Sequence, residues 1–152
     1  MGSAVASILV GTDGSDTAQV AVARAIELAA ALGARLQIVS AYEPVPEQRL
    51  RPQAVRAPDE ASQWTVNARE AVLALLSGAQ REAQAAGLAA VETFARVGDA
   101  ADAILDVAEE QRCDLIVVGH RGMTGATRFL LGTVPNRVSH HAPCSVLIVR
   151  TS

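Results

Sequence analysis

The amino-acid sequence predicts an α/β fold in which an open five-stranded parallel sheet carries helices on both faces. Short apolar runs alternate with segments of helical period along the whole chain, as they do in consecutive β-α units. Half of the residues are hydrophobic but only 3% are aromatic, so Val, Ile, Leu and Ala must build the core, which is typical of a buried parallel sheet. With 152 residues, the chain is expected to form one domain over residues 1–152.

Five apolar runs are predicted to be the strands of this sheet, at residues 7–10, 35–41, 91–97, 114–118 and 145–150. The fourth and fifth runs show no polar alternation, which is expected of strands that are covered on both faces.

Four helices are predicted between and after these strands. The first begins near Ser15 or Asp16, places Val22 and Ile26 on one face, and ends at Gly33. The second contains the buried stripe Val72, Leu76 and Ala79, the third begins at Asp99, and the fourth begins near Thr133 and stops before Pro143.

Residues 43–59 interrupt this rhythm with four prolines and three arginines. Such a segment is neither an interior strand nor an interior helix, and it is longer than most connections. Two interpretations stay open, a plain surface loop and a lid over a ligand.

Composition and charge exclude several classes of protein. All thirteen basic side chains are arginine, so no site can depend on a Schiff-base lysine or a phosphate-loop lysine. The net charge is -3 and no basic run occurs, which argues against nucleic acid as a partner. Cys113 and Cys144 lack metal-binding spacing and are expected to be reduced thiols in the core.

No targeting signal or membrane span is expected. The first apolar run has no basic lead and meets Asp13 directly, which is not the pattern of a secretory leader. The alanine-rich stretch is broken by charged residues, so it does not predict a transmembrane helix. We therefore expect a cytoplasmic protein without a membrane partner.

Glycine-rich loops follow the first and fourth strands, at residues 11–16 and 119–125. In an open parallel sheet, ligands bind at the carboxyl ends of the strands, where the strand order reverses. If the chain winds outward through strands one to three and then crosses over to four and five, the two loops frame one crevice. Gly132 and Thr133 then open the last helix, whose N-terminal N–H groups suit a phosphate.

These residues resemble a known family. Gly119, Gly122, Gly132 and Thr133 match the glycine signature of the ATP-binding branch of the universal stress proteins. The opening residues 8–15 and the closing residues 142–150 are also similar to that family, so the resemblance covers essentially the whole chain. It implies a Rossmann-like domain of the adenine nucleotide alpha-hydrolase type with strand order 3-2-1-4-5 and a bound adenine nucleotide.

By this resemblance, individual residues acquire roles at the nucleotide. Asp13 lies near the adenine or ribose. Any Mg²⁺ would be bound by Asp13 and the phosphate oxygens. The alternative is that Asp13, which precedes Gly14, is only a turn or cap residue. The nucleotide site as a whole comprises Thr12, Asp13, Ser40, Ala41, Gly119, Arg121, Gly122, Gly132, Thr133 and Val134.

The resemblance also leaves alternatives open. ATP is the nucleotide that the signature implies, but Pro135 stands where relatives often have a small hydroxyl residue, and proline supplies no N–H. That departure favours a nucleotide with fewer phosphates than ATP. AMP and cAMP therefore stay as alternative ligands, and some relatives are associated with cAMP. A slow ATP hydrolase is the alternative to a binding module, yet no catalytic residue is predicted. An interaction module with an empty site is a third alternative.

The last strand predicts self-association. In the order 3-2-1-4-5 it is an edge, and an apolar edge leaves N–H and C=O groups without partners. Pairing with the same strand of a second subunit would close a homodimer, which is also the family's usual assembly. The expected contact residues are Val146, Leu147, Ile148 and Val149. The alternative is an edge shielded by the chain's own helices.

Overall fold

A computed structural model describes residues 4–43, 59–120 and 131–151, with the backbone alone for residues 59–66. The proline-rich segment lies almost wholly outside these ranges, as do Arg121 and Gly122. The described elements are β1 (Ser7–Gly11), α1 (Asp16–Leu32), β2 (Arg35–Tyr42), α2 (Asp59–Ala85), β3 (Val91–Val97), α3 (Ala100–Glu110), β4 (Leu115–Gly119), α4 (Thr133–His141) and β5 (Ser145–Val149).

The five strands form one parallel sheet in the order β3-β2-β1-β4-β5. The chain winds from β1 outward to β3 and then crosses to β4, on the other side of β1. The predicted fold and strand order are confirmed, and every strand boundary lies within one residue of its prediction. The strand order reverses between β1 and β4, so a crevice is expected at their carboxyl ends.

Helices cover both faces of the sheet. On one face, Val22 of α1 and Leu76 of α2 pack in a single buried cluster with Ile8 of β1. On the other face, Ile104 of α3 and Val138 of α4 pack against the side chains that point the opposite way. Because successive side chains of a strand point to opposite faces, each strand contributes residues to two hydrophobic cores, one on each face of the sheet.

The two last strands differ in their burial. Ile116, Val117 and Val118 of β4 are all buried, as predicted for a strand covered on both faces. The same prediction for β5 is wrong, since its exposure alternates and Leu147 is 36% exposed. An edge strand has a neighbour on one side only, and the helices leave one face of β5 partly open.

Side chains define where the helices begin. Ser15 is the N-cap of α1 and accepts a hydrogen bond from the Ala18 N–H, and Asp99 caps α3 by accepting from the Asp102 N–H at 3.0 Å. Gly33 ends α1 in the left-handed conformation with φ of 66°. Helices α1 and α3 thus begin at the carboxyl edge of the sheet, directly after β1 and β3, where their N–H groups face the expected crevice.

Buried polar groups lie at the opposite, amino edge of the sheet. Gln37 is completely buried, and its Oε1 accepts from the Ser7 hydroxyl at 2.8 Å. Its Nε2 has no hydrogen-bond partner among the described residues. The Cys113 thiol also approaches Oε1, at 3.6 Å, and burial raises the pKa of that thiol. Cys113 and Cys144 are free thiols, as expected.

Candidate functional site

A crevice of about 450 Å³ opens at the carboxyl edge of the sheet, between β1 and β4. It lies at the predicted reversal of strand order, and its size is within the range of small-molecule sites. Three helix N-termini converge on it, those of α1, α3 and α4. The described lining consists of Gly11, Thr12, Asp13, Ser15, Thr17, Ala18, Val39, Ser40, Ala41, Ala100, Ala103, Ile104, Val118, Gly119, Leu131, Gly132, Thr133, Val134 and Pro135.

The turn after β1 is fixed by its own side chains. The Thr12 N–H donates to the carbonyl of Val39 at 3.0 Å, and the Thr12 hydroxyl accepts from the Gly14 N–H. Asp13 accepts from the Ser15 N–H at 2.9 Å through Oδ1, while Gly14 supplies a φ of +82°. The turn interpretation of Asp13 is therefore correct, and its exposed carboxylate also lines the crevice.

The N-terminus of α4 forms the opposite wall. Gly132 is its N-cap, in extended conformation and without a side-chain cap. The Gly132 N–H donates to the carbonyl of His120, and the His120 N–H donates to Val149, so the approach to the helix is tied to β4 and β5. Because Gly132 uses its N–H in this way, it offers no donor to a ligand.

Two backbone donors remain in the first turn of α4. A helix leaves its first N–H groups without intrahelical partners, and the first intrahelical bond here runs from Asn136 to Gly132. Among the described residues, the N–H groups of Thr133 and Val134 have no hydrogen-bond partner, and Pro135 has no N–H. The Thr133 hydroxyl is a third donor at the same place. The helix dipole adds a favourable potential for an anion.

The third side of the crevice is apolar. Ala103 and Ile104 project from α3 toward the end of β2, where Ser40 is 3% exposed and Ala41 is half-buried. A Cβ placed on Gly11 would lie 2.6 Å from Ile104 Cδ1. The Ile104 side chain can therefore occupy its position only because residue 11 is glycine. A flat apolar ring suits this slot.

Charges near the crevice are paired at its rim. Arg137 of α4 donates to Asp99 at 2.6 Å through Nη1 and to Asp102 at 2.7 Å through Nη2. The hydrogen bond from the Asp102 backbone is the main reason that the pKa of Asp99 lies below its ordinary value, and Arg137 lowers this pKa further. The Asp99 carboxylate therefore stays ionised at neutral pH.

Eight of the ten residues predicted for the nucleotide line this one crevice. Arg121 and Gly122 lie outside the described residues. Sequence reasoning missed the wall from α3, because Ala103 and Ile104 carry only the signal of a buried helix face. It also missed Ser15 and Thr17 as lining residues. The predicted residues that line the crevice are Thr12, Asp13, Ser40, Ala41, Gly119, Gly132, Thr133 and Val134.

The described residues contain neither a metal-binding cluster nor a membrane-spanning helix. There, no group of three or more His, Cys, Asp or Glu side chains is placed to hold a metal ion. None of the helices in the described part of the chain has the length and apolar character needed to cross a bilayer.

Comparison with known proteins identifies the family. The model of the universal stress protein family matches residues 5–150. The chain belongs to the universal stress protein family. A universal stress protein of Mycobacterium tuberculosis strain H37Rv is 39% identical over 152 residues, which cover 99% of both chains. A Thermus aquaticus universal stress protein is 38% identical over 144 residues, covering 95% of this chain and 98% of that protein.

Solved structures of the family share the fold. A universal stress protein crystallised in complex with cAMP is 37% identical, with a TM-score of 0.72, and covers 99% of this chain and 100% of its own. The universal stress protein UspA from Lactobacillus plantarum superposes with a TM-score of 0.82 at 24% identity, covering 98% and 100% of the two chains. The second similarity concerns the fold alone.

Proposed function

We propose that this universal stress protein binds an adenine nucleotide in the crevice between β1 and β4 and acts as a nucleotide-responsive module in stress signalling. The observation that carries the proposal is the N-terminus of α4, where Thr133 and Val134 line the crevice and their N–H groups have no partner in the described part of the chain. This arrangement supports a bound phosphate. The 37% identical relative that was crystallised with cAMP supports the choice of an adenine nucleotide.

The rest of the crevice suits the remaining parts of such a ligand. The adenine ring would lie in the apolar slot between Ile104 and the backbone of Ser40 and Ala41. The ribose would lie near Asp13, whose Oδ2 is not engaged by the turn and can accept from a hydroxyl. The phosphate would then meet the first turn of α4, on the opposite side of the crevice.

A nucleotide with a single phosphate fits the described donors better than ATP. The Gly132 N–H donates to the His120 carbonyl, and Pro135 has no N–H. The donors that remain in this turn are the N–H groups of Thr133 and Val134 and the Thr133 hydroxyl. That number suits the oxygens of one phosphate group. We therefore propose cAMP or AMP as the preferred ligand and ATP as the weaker one, with any Mg²⁺ held by Asp13 and the phosphates.

Isothermal titration of the purified protein with cAMP, AMP, ATP and cGMP tests the proposed function. Saturable binding of the adenine nucleotides, with cAMP or AMP the tightest and cGMP much weaker, is the expected result. The absence of heat with every adenine nucleotide at millimolar concentration would contradict it. Mass spectrometry of small molecules released from the denatured protein provides an independent readout.

Replacing Pro135 with alanine is expected to increase the affinity for phosphate. The variant restores an N–H at the third helical position, where it has no intrahelical acceptor. One further hydrogen bond to an anion is worth about 1.5 kcal/mol, which corresponds to roughly tenfold tighter binding. The gain should appear with AMP and be absent with adenosine, which has no phosphate. An equal gain with both ligands would show that residue 135 acts through the shape of the crevice instead.

ATP hydrolysis is the less favoured activity. A general base must be oriented by a second group and placed beside the water that it activates. Asp13 is the one ionisable side chain in the described lining, and its Oδ1 is held by the turn. We therefore propose that the crevice binds and releases nucleotide rather than hydrolysing it.

We also propose that β5 pairs with its copy in a second subunit. The Val149 carbonyl accepts from His120 beside β4, so it points into the sheet. Backbone groups alternate along a strand, and the N–H groups of Val146 and Ile148 therefore point outward, where no strand follows. Antiparallel pairing across a two-fold axis would give these groups partners and cover the exposed Leu147.

Replacing Val146 with proline is expected to convert the proposed dimer to monomers. Proline removes an outward N–H but no bond to β4, and edge strands tolerate it at such positions. Sedimentation velocity should show a dimer for the unchanged protein and for Val146→Thr, which keeps the N–H and the β-branched shape, and a monomer for Val146→Pro. A monomeric unchanged protein at micromolar concentration would contradict the assembly.

A further inference from the structure

An ion-pair cluster lies where the phosphate-binding helix meets the wall of the crevice. It consists of Arg137 on α4 and of Asp99 and Asp102 at the beginning of α3. Arg137 follows Thr133 by four residues, so both side chains lie on one face of α4, one turn apart. The cluster is adjacent to the lining, because Asp99 precedes Ala100 and Arg137 follows Pro135 by two residues.

The geometry occupies both arms of the guanidinium. Nη1 lies 2.6 Å from Asp99 Oδ2 and Nη2 lies 2.7 Å from Asp102 Oδ1. These are short, charge-assisted hydrogen bonds, and a guanidinium engaged in this way has little capacity left for a phosphate. The Asp99 oxygen also caps α3, so the cluster has a fixed position on that helix.

Among the described residues in and beside the crevice, carboxylates outnumber cations. Asp13, Asp99 and Asp102 contribute three carboxylates, and Arg137 is the one arginine of α4. A ligand with one phosphate can be held by the N–H groups of Thr133 and Val134 alone. Further phosphates would extend beyond these donors, where Asp13, Asp99 and Asp102 outnumber Arg137 among the described residues, and like charges repel one another within a screening length of about 8 Å.

We propose that the Asp99–Arg137–Asp102 cluster selects against nucleotides with more than one phosphate. This inference rests on the proposed function, since it assigns a specificity to the same crevice. The two carboxylates hold Arg137 away from the ligand and add repulsion of their own. Neutralising them releases the guanidinium, one helical turn from the cradle, for the second and third phosphates of ATP.

The residues of the cluster are exposed, so substitutions there should cost the protein little stability. The side chains of Arg137, Asp99 and Asp102 are 41%, 46% and 60% exposed, and ion pairs at such positions contribute little to stability. Asparagine is isosteric with aspartate and is an equally good N-cap, so Asp99→Asn keeps the first turn of α3. The double variant Asp99→Asn with Asp102→Asn is therefore expected to fold, which circular dichroism and thermal unfolding check.

The experiment compares the ratio of the ATP and cAMP dissociation constants across a set of variants, by isothermal titration. In the double variant, ATP should bind about three- to tenfold more tightly, while the affinity for cAMP changes by less than about twofold. Adding Arg137→Gln to the double variant should remove the larger part of the gain and leave only the part that comes from lost repulsion. Glu110→Gln is the control, because it breaks the Arg96–Glu110 ion pair, whose residues do not line the crevice.

Each outcome has one meaning. A gain for ATP that persists undiminished without Arg137 would overturn the proposal, because the released guanidinium would then contribute nothing to binding of the further phosphates. An unchanged ratio in the double variant would also overturn it, while leaving the proposed function intact. If no adenine nucleotide binds the unchanged protein but the chain is folded, the proposed function itself fails, and the inference fails with it.

Discussion

Replacing Thr133 with proline is expected to reduce the affinity for cAMP by about 30-fold or more, without loss of the fold. The change removes the Thr133 N–H and its hydroxyl together, and each hydrogen bond to an anion is worth about 1.5–3 kcal/mol. The helix should tolerate it, because proline is favoured at the first helical position. Gly132 already has φ of -63° and ψ of 164°, which is the conformation required before a proline.

A graded series separates the two donors of Thr133. Thr133→Ser keeps both the N–H and the hydroxyl and should bind as the unchanged protein does, while Thr133→Ala loses only the hydroxyl and should fall between serine and proline. Titration calorimetry with cAMP measures the series, and thermal unfolding checks each fold. Equal affinities for the alanine and proline variants would show that the Thr133 N–H does not hold the phosphate.

Replacing Gln37 with glutamate is expected to destabilise the protein by up to about 4 kcal/mol at neutral pH, the limit at which the buried carboxyl becomes protonated instead of charged. The change is isosteric, but it places a carboxyl group at a position with no exposed surface. The Ser7 hydroxyl can still donate to it, whereas the second oxygen takes the place of Nε2, which has no partner in the described structure. Burial therefore raises the pKa of the introduced carboxyl well above its ordinary value of about 4.3.

The destabilisation should depend on pH in a defined direction. Below about pH 4 the introduced carboxyl is protonated in both the folded and unfolded states, so the penalty is small. As the pH rises above that value, the unfolded state ionises first and the free energy of unfolding falls until the folded-state pKa is reached. Urea titrations at several pH values measure this, with Gln37→Met as the control that buries no charge. A pH-independent difference between the glutamate variant and the unchanged protein would contradict the burial of this side chain.

Much of the fold was predictable because the apolar runs are strong signals. β4 is three buried residues in succession, and Ser15, Gly33 and Asp99 mark helix ends at the predicted positions. The order of the strands required the family resemblance, since local patterns do not state which strands pair. The exposure of Leu147 was missed because an apolar run looks alike at a sheet centre and at a sheet edge.

The site was predictable only where short motifs carry it. Asp13, Gly132 and Thr133 stand in recognisable loops, and the structure gathers them around one crevice. The pairing of Arg137 with Asp99 joins residues that are 38 positions apart, and a sequence contains no local signal for such a contact. Gln37 was likewise hidden, because one polar residue in a strand does not reveal whether it finds a partner.

The position of β1 has a consequence for how the chain is made. β1, β2 and β3 are neighbours in both chain order and sheet order, so they can assemble as they leave the ribosome. The other edge of β1 must wait for β4, whose first residue follows β3 by 18 positions, a delay of about 1–4 s at ordinary synthesis rates. During that interval a nascent sheet has an open apolar edge, which is a site for wrong pairing. The strand that later supports the ligand crevice is thus the one that a chaperone would need to shield.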